Sequence, residues 1–199
     1  MLDFAELSAD GEDLELLVRE LCRSLGYVVR WSGRGQDAGR DLLLEERGDP
    51  LFGRKIRRWL VSCKHTARAN GGAGRSVSSN DVGELGGVVD AVTQHGASGF
   101  LLVCSTQPSS ALVTRFEAIE RDKGVPIHIW DGADLERMLD TPRGWSLAQR
   151  FMPQSAETAG WRVFATASPN QFVGVTRGFF YPPHQSSGKH KLLPAQLDR

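Results

Sequence analysis

From Leu14 to Leu25 the apolar residues Leu14, Leu17, Val18, Leu21, Cys22 and Leu25 recur at intervals of three and four. The spacing predicts an amphipathic helix, with Ser8 and Asp10 as candidate caps and Gly26 as its stop. Advancing 100° per residue places Glu15 beside Cys22 at the margin of the apolar stripe, with Arg19, Glu20 and Arg23 further out. A half-sheltered glutamate suits a site residue; it equally suits a first-turn acid favoured by the helix dipole.

The period then changes. Tyr27–Trp31 is a short β-rich run, residues 32–40 (SGRGQDAGR) are turn-rich, and Asp41–Glu46 (DLLLEE) gives a second strand. After a polar insertion at Gly48–Arg58, Trp59–His65 (WLVSCKH) gives a third. Val82, Leu85, Val88, Val89 and Val92 form a helical stripe ending at Gly96, and the three glycines inside it mean that packing against a sheet must hold it.

Gly99–Ser105 is a continuous apolar run of the kind buried on both faces. Ser109 and Ser110 cap a helix through Ala111, Leu112, Phe116 and Ile119, Val125–Trp130 reads as another buried strand, and Ala133–Asp140 as a short helix. The order α-β-β-β-α-β-α-β-α predicts an α/β fold, a mixed sheet with helices on its faces. Residues 1–150 are expected to form the main domain and 151–199 a C-terminal appendage. In that appendage Trp161, Val163, Phe164, Phe172, Val173, Phe179, Phe180 and Tyr181 fit a hairpin, a partner-docking arm or a wrap over the core, with the last dozen residues disordered.

At 199 residues and 40% hydrophobic content, the chain can bury one proper core. Lys plus Arg (24) equals Asp plus Glu (24), so net charge alone points to no polyanion. The distribution says more, because between Pro50 and Asn80 there is no acid while Arg54, Lys55, Arg57, Arg58, Lys64, Arg68 and Arg75 all fall there. A phosphate-facing surface and a solvated basic loop both fit. Three cysteines without CxxC spacing read as reduced core residues, and no run of eighteen apolar residues occurs, so a cytoplasmic protein without a membrane span is expected.

Phosphodiester hydrolysis needs a divalent ion held by carboxylates, an activated water and a cation near the phosphate. Asp41 opening one strand and Lys64 closing an antiparallel neighbour would meet at the same edge of the sheet, with the Cys63 carbonyl as a further oxygen ligand for magnesium. Other readings fail. GRGQDAG follows a strand but leads into another strand and not into a dinucleotide-binding helix, NGGAGRSVSS lacks the P-loop lysine, and no Ser-His-acid set is visible.

Four segments resemble the PD-(D/E)XK nucleases, and most closely their Mrr-like restriction endonuclease branch: LELLVRELCRSLGY, GQDAGRDLLL, VSCKH and GFLLVCSTQPSSA, in order over about residues 10–140. The resemblance implies a restriction-endonuclease-like sheet in which Asp41 is the metal aspartate, Lys64 the catalytic lysine and Glu15 the helix-one glutamate. Ser62 departs from it, standing where the family usually has glutamate or glutamine, and a hydroxyl is a poorer magnesium ligand than a carboxylate. Glu84 is the first candidate to replace that acid, since family members with the acid moved to that helix are known; Asp81 is the second and would also serve as a cap.

The implied metal set is Asp41, Glu84, Glu15 and the Cys63 carbonyl, taking Mg2+ with Mn2+ able to substitute. His65, Arg68, Arg75, Arg40 and Thr106 are candidate nucleic-acid contacts. His65 is equally a polar strand terminus, and Ser105, Thr106, Ser109 and Ser110 are either an anion cradle or plain caps. Gln36 and Asp37 reach toward nucleic acid or only serve their turn. The implied function is a metal-dependent endonuclease cutting double-stranded DNA in prokaryotic restriction or antiviral defence, as a homodimer or within a larger defence complex. The alternative is a catalytically degenerate binding module of the same fold.

Overall fold

The computed structural model describes residues 1–31, 41–46, 57–69, 74–83, 85–159, 161–165, 172–176, 179–181 and 193–194. After a 3-10 turn at Phe4–Glu6, the periodic apolar stretch becomes helix α1 (Glu12–Ser24). Both expected caps take part in starting it. Asp10 Oδ1 accepts the Glu12 amide at 3.0 Å, and Ser8 and Asp13 exchange bonds, each backbone amide donating to the other's side chain. Gly11, at φ 85, makes the turn into the helix, which a Cβ would oppose.

The main sheet holds β1 (Val28–Trp31), β2 (Leu42–Glu45), β3 (Arg58–Lys64), β4 (Gly99–Cys104) and β5 (Ile127–Trp130), in that spatial order. β1, β2 and β3 pair antiparallel, while β3, β4 and β5 are parallel. The parallel steps need crossovers. These are supplied by α2 (Ser79–Val82) with α3 (Leu85–Gln94), and by α4 (Ser110–Lys123). The strand alternation of β3 divides the interior, with Trp59, Val61 and Cys63 in one core beside Leu14, Leu17, Val18 and Leu21 of α1, and Leu60 in another beside Val88, Val92, Leu112 and Phe116. All six residues of β4 are buried, as its unbroken apolar run predicts.

Three expectations change. The helix expected to run up to Gly96 is two pieces, because Gly83 at φ 83 turns the chain between them and Ser78 with Asp81 forms a capping box on the first. β5 is an edge strand in which only Ile127 is buried, since it has one neighbour where a central strand has two. The third change is the pair α6 (Trp145–Phe151) and α7 (Pro153–Ala159), which follow α5 (Gly132–Leu139). Trp145, Ala148, Met152 and Ala156 lie three, four and four residues apart and all enter the α1 core. Pro153 and the polar residues between them hide that stripe from a periodicity count.

The first residues of the chain are tied to these late helices. Glu6 accepts the Gln154 and Ser155 amides at 2.8 and 2.7 Å at the start of α7, and the Leu2 amide donates to Glu136 of α5 at 2.8 Å. Met152 and Ala156 of these late helices lie in the same core as α1. Cys22, Cys63 and Cys104 are free and buried, and no helix among the described residues is long and apolar enough to cross a membrane. The C-terminal stretch forms its own antiparallel sheet of β6 (Trp161–Ala165), β7 (Phe172–Thr176), β8 (Phe179–Tyr181) and β9 (Leu193–Pro194). Apart from Leu193–Pro194, the last dozen residues lie outside the described ones.

Candidate active site

Asp41 stands one residue ahead of β2, and the pairing of Leu42 with Val61 brings it level with Ser62. Its amide still donates to the Val61 carbonyl at 3.1 Å. The next donor along that edge of β3, the Cys63 amide, instead meets the Asp41 side chain, with Oδ2 accepting at 2.5 Å. A carboxylate here replaces a ladder carbonyl. Because the amide and carbonyl of one strand residue leave by the same edge, the Cys63 carbonyl also projects to Asp41's side. On the opposite edge the Lys64 carbonyl accepts the Ser105 amide at 3.1 Å, which fixes the last residue of β3 to the end of β4.

The charges at this sheet end act on one another. Burial raises the Asp41 carboxyl above its ordinary range, opposed by the Cys63 amide, the Lys64 charge and the Ser62 hydroxyl. Burial pushes the Glu15 carboxyl up to about 7, with Asp41 and Glu12 adding to the rise and Lys64 opposing it. The Cys63 thiol is also driven up, by burial first and then by Asp41 and Glu15. Glu15 of α1, Asp41 before β2 and Lys64 at the end of β3 therefore share one electrostatic neighbourhood. Ser62 is 3% exposed and, by alternation, lies on Lys64's face of β3.

Two carboxylates and a carbonyl make an all-oxygen donor set, which fits a hard divalent cation better than a soft one. Among the described residues no group of three His, Cys, Asp or Glu side chains converges, so such an ion would complete its shell with backbone oxygens, water or an acid outside those residues. Glu84 is outside them, as are Arg40, Gln36 and Asp37.

Most of the remaining described candidates hold partners within the chain. Asp81 binds Arg75 in two-pronged fashion, at 2.7 and 2.5 Å, and also accepts the Ser78 amide and hydroxyl. The Arg75 partner holds its carboxyl far below the usual range, against some burial. The Arg75 guanidinium is thus committed to Asp81. The Thr106 hydroxyl meets that of Thr66 at 2.6 Å and donates to the Arg75 carbonyl at 2.8 Å. Arg68 is exposed and donates through Nε to the Ala5 carbonyl at 2.7 Å. Both ring nitrogens of His65 are covered and lack a hydrogen-bond partner, and burial, then Arg68, lower its pKa against the pull of Asp10 and Asp13. Ser109 caps α4 by accepting the Leu112 amide at 3.3 Å.

Two features were not read from the sequence. The Arg75–Asp81 pair was missed although Ser78-x-x-Asp81 carries a readable capping-box signature. The second is the role of Ser105, expected as part of an anion cradle or as a cap: its Oγ accepts the Thr66 and Ala67 amides, 39 and 38 residues away.

A family model described as restriction endonuclease, Mrr_cat, matches residues 7–139. Two solved structures are similar to the chain. One is the DNA modification-dependent restriction endonuclease AspBHI, at 15% identity and TM-score 0.47, covering 80% of this chain and 43% of that one. The other is the MspJI restriction endonuclease in complex with a 27-mer oligonucleotide, at 18% identity and TM-score 0.47, covering 73% of this chain and 33% of that one. The chain therefore spans less than half the length of either. A comparison with curated proteins gave no match. The span of the family match runs from before α1 to the end of α5 and contains Glu15, Asp41, Ser62 and Lys64, and on it the chain belongs to the Mrr-type restriction endonuclease family.

Proposed function

We propose that this chain is a metal-dependent endonuclease domain of the PD-(D/E)XK type, hydrolysing the phosphodiester bonds of double-stranded DNA in prokaryotic restriction or antiviral defence. One observation carries the reading: Asp41, anchored by the Cys63 amide, shares its electrostatic surroundings with Glu15 and Lys64 at one end of the sheet. Asp41, Glu15 and the Cys63 carbonyl would hold the ion, Mg2+ with Mn2+ as substitute. When bound, such an ion polarises the phosphate and lowers the pKa of water.

The chain's own residues do the rest. The Cys63 amide holds one oxygen of Asp41 and so restricts the orientation of the carboxylate. The Lys64 ammonium positions the attacking water and offsets charge that develops on the phosphate oxygens. Glu15 contributes a second carboxylate once ionised. Glu84 is proposed as the further acid on the resemblance alone, and Glu84→Ala retaining full activity would remove it. Cutting both strands calls for two such sites, so a homodimer or a larger defence complex in the cytoplasm goes with this reading.

A second reading rests on Ser62. A buried hydroxyl stands where the family usually carries an acid, which favours a module that binds DNA or a partner without cutting. Plasmid DNA incubated with magnesium, with manganese and with chelator, for wild type and Lys64→Ala, separates the two. The nuclease reading expects metal-dependent cutting by wild type only, whereas DNA binding without cutting in any metal supports the module.

A further inference from the structure

We infer that Ser105 is the positioning residue for Lys64, an inference that rests on the nuclease reading above. Lys64 is the last residue of β3, past the end of the ladder to β2 and paired with Cys104 of β4. Ser105 grips the chain on both sides of that point. Its amide donates to the Lys64 carbonyl at 3.1 Å. Its Oγ accepts the Thr66 amide at 2.9 Å and the Ala67 amide at 3.1 Å.

A serine hydroxyl has two lone pairs and one proton, so these two amides use its whole accepting capacity. The result is a clasp across residues 64 to 67 made by one residue, through its backbone amide at Lys64 and its side-chain oxygen at Thr66 and Ala67, and that residue is 4% exposed. Thr66 and Ala67 are buried as well, so water does not take over if the hydroxyl is lost.

Ser105 is in turn held from behind. The Gly132 amide at the start of α5 donates to the Thr106 carbonyl at 3.1 Å, and a Cβ added at Gly132 would fall 2.8 Å from the Ser105 carbonyl oxygen. Below 3 Å something must shift, so the absent side chain at Gly132 lets α5 close directly onto Ser105. In front, the Thr66 and Thr106 hydroxyls meet at 2.6 Å, and Thr106 donates to the Arg75 carbonyl. Sheet, helix and returning loop all converge on the residue that clasps the end of β3. In this assignment Ser105 acts through Lys64 and not on the substrate. It sets where the Lys64 backbone, and with it the ammonium, stands relative to Asp41 on the other edge of β3.

The test compares Ser105→Ala, Ser105→Thr and Ser105→Cys in the full chain. The measurements are single-turnover cleavage of a labelled duplex in magnesium, duplex affinity in chelator and thermal unfolding. Misplacing the cation by a fraction of an ångström is expected to slow the Ser105→Ala cleavage step about 10- to 100-fold, with duplex affinity changed by less than about twofold. Ser105→Thr keeps the accepting oxygen and is expected to recover most of the rate. Ser105→Cys keeps the volume with a poor acceptor, and decides the matter if the alanine variant does not fold. Wild-type rates in folded Ser105→Ala or Ser105→Cys would overturn the assignment and leave the nuclease reading standing. Loss of affinity in step with rate, or a threonine variant no better than alanine, would also overturn it. A wild type that never cuts in any metal removes the nuclease reading, and this inference with it.

Discussion

The side chain of Asp41 finishes the β2–β3 ladder by accepting the Cys63 amide, so the fold itself places the carboxylate at the sheet's end. Two substitutions should therefore part company. Asp41→Asn keeps an accepting oxygen for that amide and is expected to unfold within about 1 kcal/mol of wild type in urea, while losing cleavage. Asp41→Ala strands a buried amide and is expected to lose cleavage together with about 1–3 kcal/mol of stability. Equal stability of the two variants would show that the Cys63 bond contributes nothing to the fold.

Glu15 gives a pH dependence of known sign. Burial and Asp41 raise its carboxyl from 4.5 to about 7 in the folded chain, so ionising it works against folding. The penalty is absent below about pH 4.5, grows between there and pH 7, and is fully present above. Glu15→Gln is expected to stabilise the chain at pH 8 by about 1 kcal/mol, a figure kept small because the carboxyl is partly exposed, and to match wild type at pH 4.5. A pH-independent gap between wild type and variant, followed by thermal unfolding, would contradict this.

Much of this arrangement is readable in the sequence, for reasons that differ by element. The α1 stripe and the unbroken run of β4 follow from local periodicity, because each is a repeating apolar pattern on a regular backbone. The four-residue α2 offers too little length for a stripe, and one positive φ at Gly83 separates it from α3. α6 and α7 announce themselves only through four small or scattered apolar residues interrupted by Pro153. The commitments of Thr106 and Ser105 depend on partners 31 to 40 residues away, to which no local pattern refers.

Asp81 was one candidate for the acid that Ser62 fails to supply. Its carboxylate instead serves Arg75 and the start of α2. Asp81→Ala is expected to cost about 1 kcal/mol through the lost cap while cleavage stays within about twofold of wild type. The carboxyl is held below its ordinary range, so its contribution is present above about pH 4 and lost as the pH falls through the acid range. Abolished cleavage in a stably folded Asp81→Ala would return this residue to the metal site.

The end of the folded unit can be located by truncation. A chain cut after Ala159 keeps Met152 and Ala156 in the core and the Glu6 bonds to α7, whereas one cut after Arg150 loses all of them. The shorter chain is expected to be less stable by about 3 kcal/mol or more, read from urea unfolding, since burial of Met152 alone is of that size. Equal midpoints would place the boundary at residue 150.

The most direct test of the central claim is a magnesium titration of single-turnover cleavage, on a labelled DNA duplex, by wild type and Asp41→Asn. The account expects the wild-type rate to rise from nothing in chelator to a plateau, and Asp41→Asn to stay at least about 100-fold lower at every magnesium concentration while still binding the duplex. Cleavage by Asp41→Asn at the wild-type rate, or a wild-type rate indifferent to magnesium, would contradict it.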